Sequence, residues 1–257
     1  MIKSITQSEI TFMVEELRIL ATGYGKFDRY LTDDSNPSNK VAKAFANQYL
    51  EGDGDKLPVR GFHTVVPVVW DKAWQTIKNK VDEVQPDVLI CMGAAGATMF
   101  ERIARNEAYN IADAEGKFFE KPYVVNTPQD KSLLEQNSGN QFNNYPPLAT
   151  YADGTPTPYT FPSTLAFDYL EEKMNNTSNP NILKVRNISF NAGGYLCNFA
   201  FYMPALLLRE KVAFTGFLHI EGDRKDEEYK ETGEFIFNEY AKWLQRNYIK
   251  VSRSELK

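Results

Sequence analysis

Apolar residues along the chain follow two periodicities. Short runs rich in β-branched side chains, bounded by glycine, proline or asparagine, predict buried strands, whereas apolar residues that recur every three or four positions predict helices. The predicted strands are residues 16–22, 59–69, 87–92, 182–190 and 211–220. The predicted helices are residues 39–49, 71–84, 163–174, 195–208 and 227–248. This alternation is typical of βαβ units, so we expect one α/β domain over residues 1–257, with helices on both faces of a mostly parallel sheet.

The strongest candidate for chemistry follows the apolar run 182–190. Ala192-Gly193-Gly194 ends this run, and a nearly all-apolar helix then begins, with Cys197 about one turn from its start. Adjacent glycines let a ligand approach the backbone. The positive end of a helix dipole lowers the pKa of a thiol, and the thiolate is the nucleophilic form. From these residues alone, a buried cysteine that packs as a small apolar side chain is an equal alternative.

A second cysteine and two histidines complete the set of candidate groups. Cys91 lies inside the apolar run 87–92, which favours a core position. His219 closes the last predicted strand, and ligands bind at the carboxyl ends of strands in α/β sheets, whereas His63 lies early in a strand and is expected to be structural. A nucleophilic cysteine needs a base, and the base needs an orienting group. Spacing leaves four carboxylates open for that last role: Glu101, Glu115, Glu221 and Asp223.

Composition narrows the range of functions. A net charge of -5 and the lack of a Lys/Arg block argue against nucleic-acid binding. The two cysteines form no pair motif and have no second ligand nearby, so we expect no disulfide framework, no metal and no cofactor. No apolar run reaches the roughly 18 residues that a membrane span needs, and residues 1–20 lack the apolar core of a signal peptide. A cytoplasmic protein without a membrane partner is therefore expected.

Residues 126–157 differ in kind from the rest of the chain. They are rich in Asn, Gln, Pro and Gly, and the stretch is too long for an ordinary connection. We expect a polar insertion that either covers the catalytic cleft or forms a surface loop without a role, because loop closure costs little as length grows. The pattern of residues 101–110 favours neither a helix nor a strand.

Five blocks of sequence resemble the pyroglutamyl peptidase I family, in the family's order. Residues 189–198, followed by Phe201-Tyr202, resemble its active-site cysteine signature. Residues 20–27 and 36–38 resemble the family's N-terminal block, and residues 66–68, 72–73 and 86–88 resemble its second block. Residues 101–106 and 113–116 resemble its glutamate block, and residues 216–219 resemble its histidine block. Together the blocks span about residues 20–220, which is most of the chain.

This resemblance implies a three-layer α/β/α fold and a cysteine peptidase without a cofactor. The implied partners are peptides with an N-terminal pyroglutamate, which the enzyme would remove through an acyl-enzyme. It places the nucleophile on Cys197, the base on His219 and the orienting acid on Glu101, and the choice of this glutamate depends wholly on the resemblance. The positions implied to line the pocket for the lactam ring are Tyr24, Phe27, Ile111 and Tyr195.

The chain departs from the family's pattern at two places near the expected site. Ala94-Ala95-Gly96-Ala97 replaces a segment that usually carries Gln and then Gly-Gly-Arg, and Asn110 stands where an arginine is expected. These departures leave two alternatives. One is a non-catalytic protein that binds pyroglutamyl peptides or another small molecule on the same fold. The other is a related amide hydrolase with a different acyl specificity. A homo-oligomer is compatible with the sequence, which does not fix the oligomeric state.

Overall fold

A mostly parallel sheet lies at the centre of the computed structural model, which describes residues 16–126, 146–155 and 157–247. Within these residues the sheet has seven strands, in the order β10-β5-β11-β4-β1-β3-β2. Only β2 against β3 and β5 against β11 are antiparallel pairs in it. Its strands are β1 (Leu17–Tyr24), β2 (Tyr49–Leu50), β3 (Val59–Val66), β4 (Val88–Ala95), β5 (Met99–Glu101), β10 (Asn187–Ser189) and β11 (Phe214–Glu221).

Helices cover both faces of this sheet. The α-helices of the described residues are α1 (Pro37–Lys43), α2 (Trp70–Val84), α3 (Phe167–Asn176), α4 (Leu196–Leu207) and α5 (Asp226–Asn247). Alternate residues of a strand point to opposite faces. Thus Ile90 of β4 packs in a core with residues of α1, α3 and α5, whereas Cys91 packs in a second core with residues of α2 and α4. The predicted fold class, helices on both faces of a mostly parallel sheet, is confirmed.

The prediction of a buried strand over residues 182–190 is wrong in most of its length. Only β10 pairs as a strand, at the edge of the sheet, and Phe190 is exposed. Leu183 and Val185 are buried outside the sheet, and side chains of the helices satisfy their backbone. The Leu183 N–H donates to Thr232 of α5, and the Val185 N–H donates to Asn175 of α3. The apolar character of this run therefore reflects packing against helices.

Two helix starts also differ from the predictions. The side chain of Asn36 caps α1 by accepting from the Ser38 N–H, whereas Asn39, where the predicted helix begins, contacts His63 instead. Helix α3 begins at Phe167, about one turn later than predicted. Ser163 and Thr164, where the predicted helix begins, bond β11 instead: both hydroxyls donate to the Thr215 carbonyl, and Thr164 accepts from the Thr215 N–H.

Two small sheets form around the polar insertion, and one of them contains part of the undecided residues 101–110. β6 (Ile103–Arg105) pairs with β9 (Thr160–Pro162), and β7 (Tyr123–Val125) pairs with β8 (Ala149–Tyr151). Most of the predicted insertion, residues 127–145 and 156, lies outside the described residues, so its role stays a prediction. None of the helices in the described ranges combines the length and apolar character that crossing a membrane requires.

Candidate active site

Cys197 is the second residue of α4, so it lies in the first turn of that helix. Gly193 in the preceding loop has a φ of 79°, a left-handed conformation that disfavours most other residues, and its N–H donates to the Asn191 side chain at 3.0 Å. No side chain caps the start of α4. Because the first N–H groups of a helix have no partner within it, this end of α4 presents free donors beside the thiol.

The Cys197 sulfur lies against the end of β4, where the neighbouring residue has to be glycine. A Cβ atom at Gly93 would lie 2.7 Å from the Cys197 Sγ and 2.9 Å from the Phe217 ring. Both approaches are shorter than a real Cβ atom makes. The absence of a side chain at this position therefore leaves the space in which the thiol of α4 meets the sheet.

His219 and Glu101 meet because of the register between β11 and β5. The two strands are antiparallel, with Glu101 opposite Phe217 and His219 opposite Met99. Glu101 and His219 are therefore diagonal neighbours on one face of the sheet. The His219 Nδ1 and the Glu101 Oε1 are 2.6 Å apart, and both side chains are buried. Cys197 lies close enough to His219 to affect the pKa of its imidazole. The structure thus brings Cys197, His219 and Glu101 together.

The environment of His219 favours its protonated form. Burial alone would lower the pKa of the imidazole, but the neighbouring Cys197 and the contact with Glu101 outweigh it, so the pKa is raised above its usual value. The imidazole therefore keeps its proton at neutral pH. The other Glu101 oxygen, Oε2, is buried without a hydrogen-bond partner among the described residues. In this arrangement the carboxylate faces a protonated imidazole.

The other cysteine and histidine have different settings. Cys91 is buried in β4, and burial raises the pKa of its thiol to about 12 despite a hydrogen bond from Thr22. The His63 Nε2 lies 2.8 Å from the Asn39 Oδ1, and burial lowers its pKa to about 4. Neither group belongs to the cluster around Cys197.

The three alternative carboxylates pair with cations elsewhere. Glu115 pairs with Lys72 and Lys117, Glu221 pairs with Arg186 and Arg224, and Asp223 pairs with Arg29. Among the described residues, the carboxylate that contacts His219 is that of Glu101. In those same residues, no three His, Cys, Asp or Glu side chains are grouped as a metal ion would require.

A cavity of about 290 Å³ opens beside Cys197. Three predicted pocket residues line it, Tyr24, Phe27 and Tyr195, and the rings of Phe27 and Tyr195 lie 5.7 Å apart. Ile111, the fourth, is not among the lining residues and its side chain is 44% exposed. Lining residues that were not predicted for the pocket include Asp28, Arg29, Tyr30, Asn36, Val68 and Leu196. One wall of the cavity is therefore aromatic and its rim is polar.

Asn198 is a site residue whose role the sequence did not reveal. Its buried side chain donates to the carbonyl groups of Arg105 and Glu107 at 2.7 and 3.1 Å, and accepts from the Arg105 N–H at 2.8 Å. These bonds join the start of α4 to the segment that follows Glu101. The only indication in the sequence is its place, directly after Cys197 in the signature block.

A Cys–His–Glu cluster at the carboxyl edge of a mostly parallel sheet, facing a small cavity, is the arrangement of a cysteine hydrolase. Comparison with known proteins shows which family this chain resembles. A family model described as pyroglutamyl peptidase matches residues 17–130. The pyrrolidone-carboxylate peptidase of Bacillus cytotoxicus is 28% identical over 204 residues, which cover 79% of this chain and 77% of that protein. The enzyme of the same name from Pyrococcus furiosus is also 28% identical, over 79% of this chain and 80% of its own.

Solved structures agree in fold. Pyroglutamyl peptidase I of Bacillus amyloliquefaciens superposes with a TM-score of 0.64 at 18% identity, covering 88% of this chain and 98% of its own. Pyrrolidone carboxyl peptidase of Pyrococcus furiosus superposes with a TM-score of 0.61 at 22% identity. The superposition covers 89% of this chain and 100% of that protein's chain. The family model and the sequence relatives show that this chain is similar to the pyroglutamyl peptidase I family of cysteine peptidases. The resemblance read from the five sequence blocks is thereby confirmed.

Proposed function

We propose that the protein hydrolyses the amide bond that follows an N-terminal pyroglutamate, through an acyl-enzyme on Cys197. One observation carries the proposal: Cys197 lies beside His219, which Glu101 orients, and opens onto an aromatic-walled cavity. The relatives named above are pyrrolidone-carboxylate peptidases, which supports the same acyl group here.

The first half-reaction uses the thiolate and the protonated imidazole. The Cys197 sulfur attacks the carbonyl carbon, an S–C bond forms, and the π electrons move to the oxygen. Free N–H groups at the start of α4 hold this oxyanion, a kind of help worth roughly 3–4 kcal/mol per donor in other enzymes. The C–N bond then breaks as His219 gives its proton to the departing amine. The pyroglutamyl group remains on the sulfur as a thioester.

The second half-reaction returns the enzyme to its starting state. His219, now neutral, takes a proton from a water molecule, and the oxygen of this water attacks the thioester carbon. The S–C bond breaks, pyroglutamate leaves, and the thiolate is restored beside the protonated imidazole. Glu101 holds the imidazole in one orientation through both steps, because its Oε1 lies 2.6 Å from the Nδ1.

The cavity accounts for a preference for pyroglutamate over free glutamine. Pyroglutamate is a neutral lactam, which suits a wall formed by Tyr24, Phe27 and Tyr195. A free N-terminal glutamine would bring an ammonium group against these rings, and an unpaired charge away from water costs several kcal/mol. We therefore expect strong rejection of glutaminyl substrates.

Turnover of a fluorogenic pyroglutamyl amide tests the proposal, with the matching glutaminyl amide as comparison. We expect turnover of the first substrate only, and its loss in Cys197→Ser. Cys91→Ala is the matched control, because Cys91 is fully buried in β4 and does not line the cavity, and it should keep its activity. Binding of a pyroglutamyl peptide without turnover would instead favour a non-catalytic binding protein. Comparable rates on both amides would favour a hydrolase of different acyl specificity.

A further inference from the structure

Tyr24 has a contact that a pocket wall does not require. This residue ends β1, its side chain is buried, and its ring lines the cavity. Its hydroxyl donates a hydrogen bond to the backbone carbonyl of Leu196. That carbonyl and the N–H of Cys197 belong to the same peptide group. The hydroxyl of a residue on β1 therefore contacts the peptide group that joins Leu196 to the candidate nucleophile.

The N–H of this peptide group is placed to meet a substrate. Leu196 and Cys197 are the first two residues of α4, and N–H groups in a first turn point out of the helix start without an intrahelical partner. No side chain caps this helix start, and both residues line the cavity. A carbonyl oxygen of a substrate attacked by the Cys197 sulfur would lie beside this donor.

We propose that Tyr24 is a positioning residue for the oxyanion, acting through the peptide group between Leu196 and Cys197. The hydrogen bond at the carbonyl fixes the plane of this peptide group and polarises it, which makes the N–H of Cys197 a stronger and better oriented donor. Donors held in place before the reaction cost no reorganisation when charge develops. This inference rests on the proposed peptidase function, and it adds a role to a residue otherwise expected only to contact the lactam ring.

The surroundings keep the Tyr24 hydroxyl in its donor form. Burial raises the pKa of this phenol well above its usual value, and the nearby Cys197 thiol raises it further. The hydroxyl therefore stays protonated over the pH range in which a peptidase would work. The role of the hydroxyl then depends on one hydrogen bond. Substitution of Tyr24 by phenylalanine removes this bond and keeps the aromatic ring in the cavity wall.

The test compares Tyr24→Phe with wild type on the fluorogenic pyroglutamyl amide. We expect kcat to fall about tenfold, less than for loss of a whole oxyanion donor, with KM changed less than twofold because the ring remains. A pyroglutamyl aldehyde provides a second readout. The Cys197 sulfur adds to its carbonyl carbon, and the carbonyl electrons move to the oxygen, which occupies the oxyanion position. Its inhibition constant should rise by the same factor as kcat falls, and this constant does not depend on the fraction of folded enzyme.

Two controls separate positioning from general damage. The rate at which iodoacetamide alkylates Cys197 should be unchanged in Tyr24→Phe, because alkylation forms no oxyanion. Tyr202→Phe is the matched variant, since this buried hydroxyl on the same helix donates to the Pro158 carbonyl at 2.6 Å, away from the cavity. It should lose a comparable amount of stability and keep the wild-type kcat and aldehyde affinity.

Each outcome decides between the two proposals. If the wild type is active and Tyr24→Phe keeps its kcat and its aldehyde affinity, the inference about Tyr24 is overturned while the proposed function stands. A rise in KM without a fall in kcat, or a slower alkylation of Cys197, would also overturn it, in favour of a wall contact or a structural role. A wild type that does not turn over pyroglutamyl amides would overturn the proposed function, and this inference would fall with it.

Discussion

Glu101 is buried, and its contact with His219 favours the protonated form of the imidazole. A carboxylate buried without compensation is costly, and one of the two Glu101 oxygens has no partner in the described part of the chain. The protonated imidazole supplies the compensation through the 2.6 Å contact at the other oxygen. The same contact, together with Cys197, raises the pKa of His219 against the opposing effect of burial. The proton that the leaving amine needs is therefore present at neutral pH.

Replacing Glu101 should change the pH dependence of activity. Because the carboxylate helps to raise the pKa of His219, Glu101→Gln should lower this pKa and move the alkaline decline of kcat/KM to lower pH. We also expect kcat to fall by at least about tenfold, since an amide stabilises the imidazolium poorly. A pH series of kcat/KM measures both effects. Glu115→Gln, which removes a surface carboxylate paired with Lys72, is the control and should keep the wild-type profile. An unchanged profile in Glu101→Gln would assign the orienting role to another group.

The start of α4 is held by contacts with two other parts of the chain. The hydroxyl of Tyr24 contacts it from β1, and the Asn198 side chain contacts the segment after Glu101. A single helix start thus connects the strand that lines the cavity with the segment that carries the carboxylate. The position of Cys197 relative to His219 depends on these contacts as well as on the helix itself.

Removing the Asn198 side chain should therefore affect both stability and catalysis. Asn198→Ala leaves the Arg105 N–H and two carbonyl groups without this partner, and we expect a loss of about 1–3 kcal/mol in the free energy of unfolding. We also expect a lower kcat, because the start of α4 is less firmly held. Urea unfolding and turnover measure the two quantities.

Asn106→Ala is the matched control for this prediction. The buried Asn106 side chain also joins two segments, through Ala149 and Thr157, away from the cavity. It should lose comparable stability and keep its kcat. If both variants lose stability but neither loses activity, Asn198 has no part in placing the thiol.

Most helices and strands could be predicted because their apolar residues follow the local periodicity of the element. The exceptions arise from contacts between residues that are distant in sequence. The run 182–190 is apolar because helices cover it, a reason that no local pattern distinguishes from a strand. Glu101 could not be chosen by spacing, because its contact with His219 depends on the antiparallel register of β5 against β11. Local pattern placed Cys91 in a strand interior and Cys197 at a helix start, but it left the role of Cys197 open.

At the scale of the whole molecule, the site forms where the parallel strands end. Tyr24 ends β1, Ala95 ends β4, and both line the cavity, while His219 lies near the end of the adjacent β11. The carboxyl ends of parallel strands meet at one edge of a sheet, which is where α/β proteins bind ligands. The antiparallel β5 adds Glu101 to this edge from outside the parallel set. The topology thus gathers residues separated by about two hundred positions into one site.

The two histidines of the chain should affect global stability in opposite directions with pH. Burial of His63, and then the charge of Lys43, lowers its pKa to about 4 in the folded state from about 6.5 in the unfolded state. Between these values the unfolded chain binds more protons, so stability is full above about pH 6.5 and is lost as the pH falls toward 4. His219 has a raised pKa, so its contribution is present below about pH 6.5 and is lost as the pH rises.

Substitution of His63 tests this opposition. His63→Gln keeps a donor for Asn39 but cannot titrate, so its urea midpoint should fall less than that of wild type between pH 6.5 and 4.5. His219→Gln, in contrast, should leave this acid-side loss in place and reduce the decline in stability from pH 7 to 9. Urea unfolding of the three proteins at matched ionic strength provides the comparison. If His63→Gln lost as much stability in acid as wild type, the acid sensitivity would have to come from carboxylates. His63 would then already be able to charge within the folded protein.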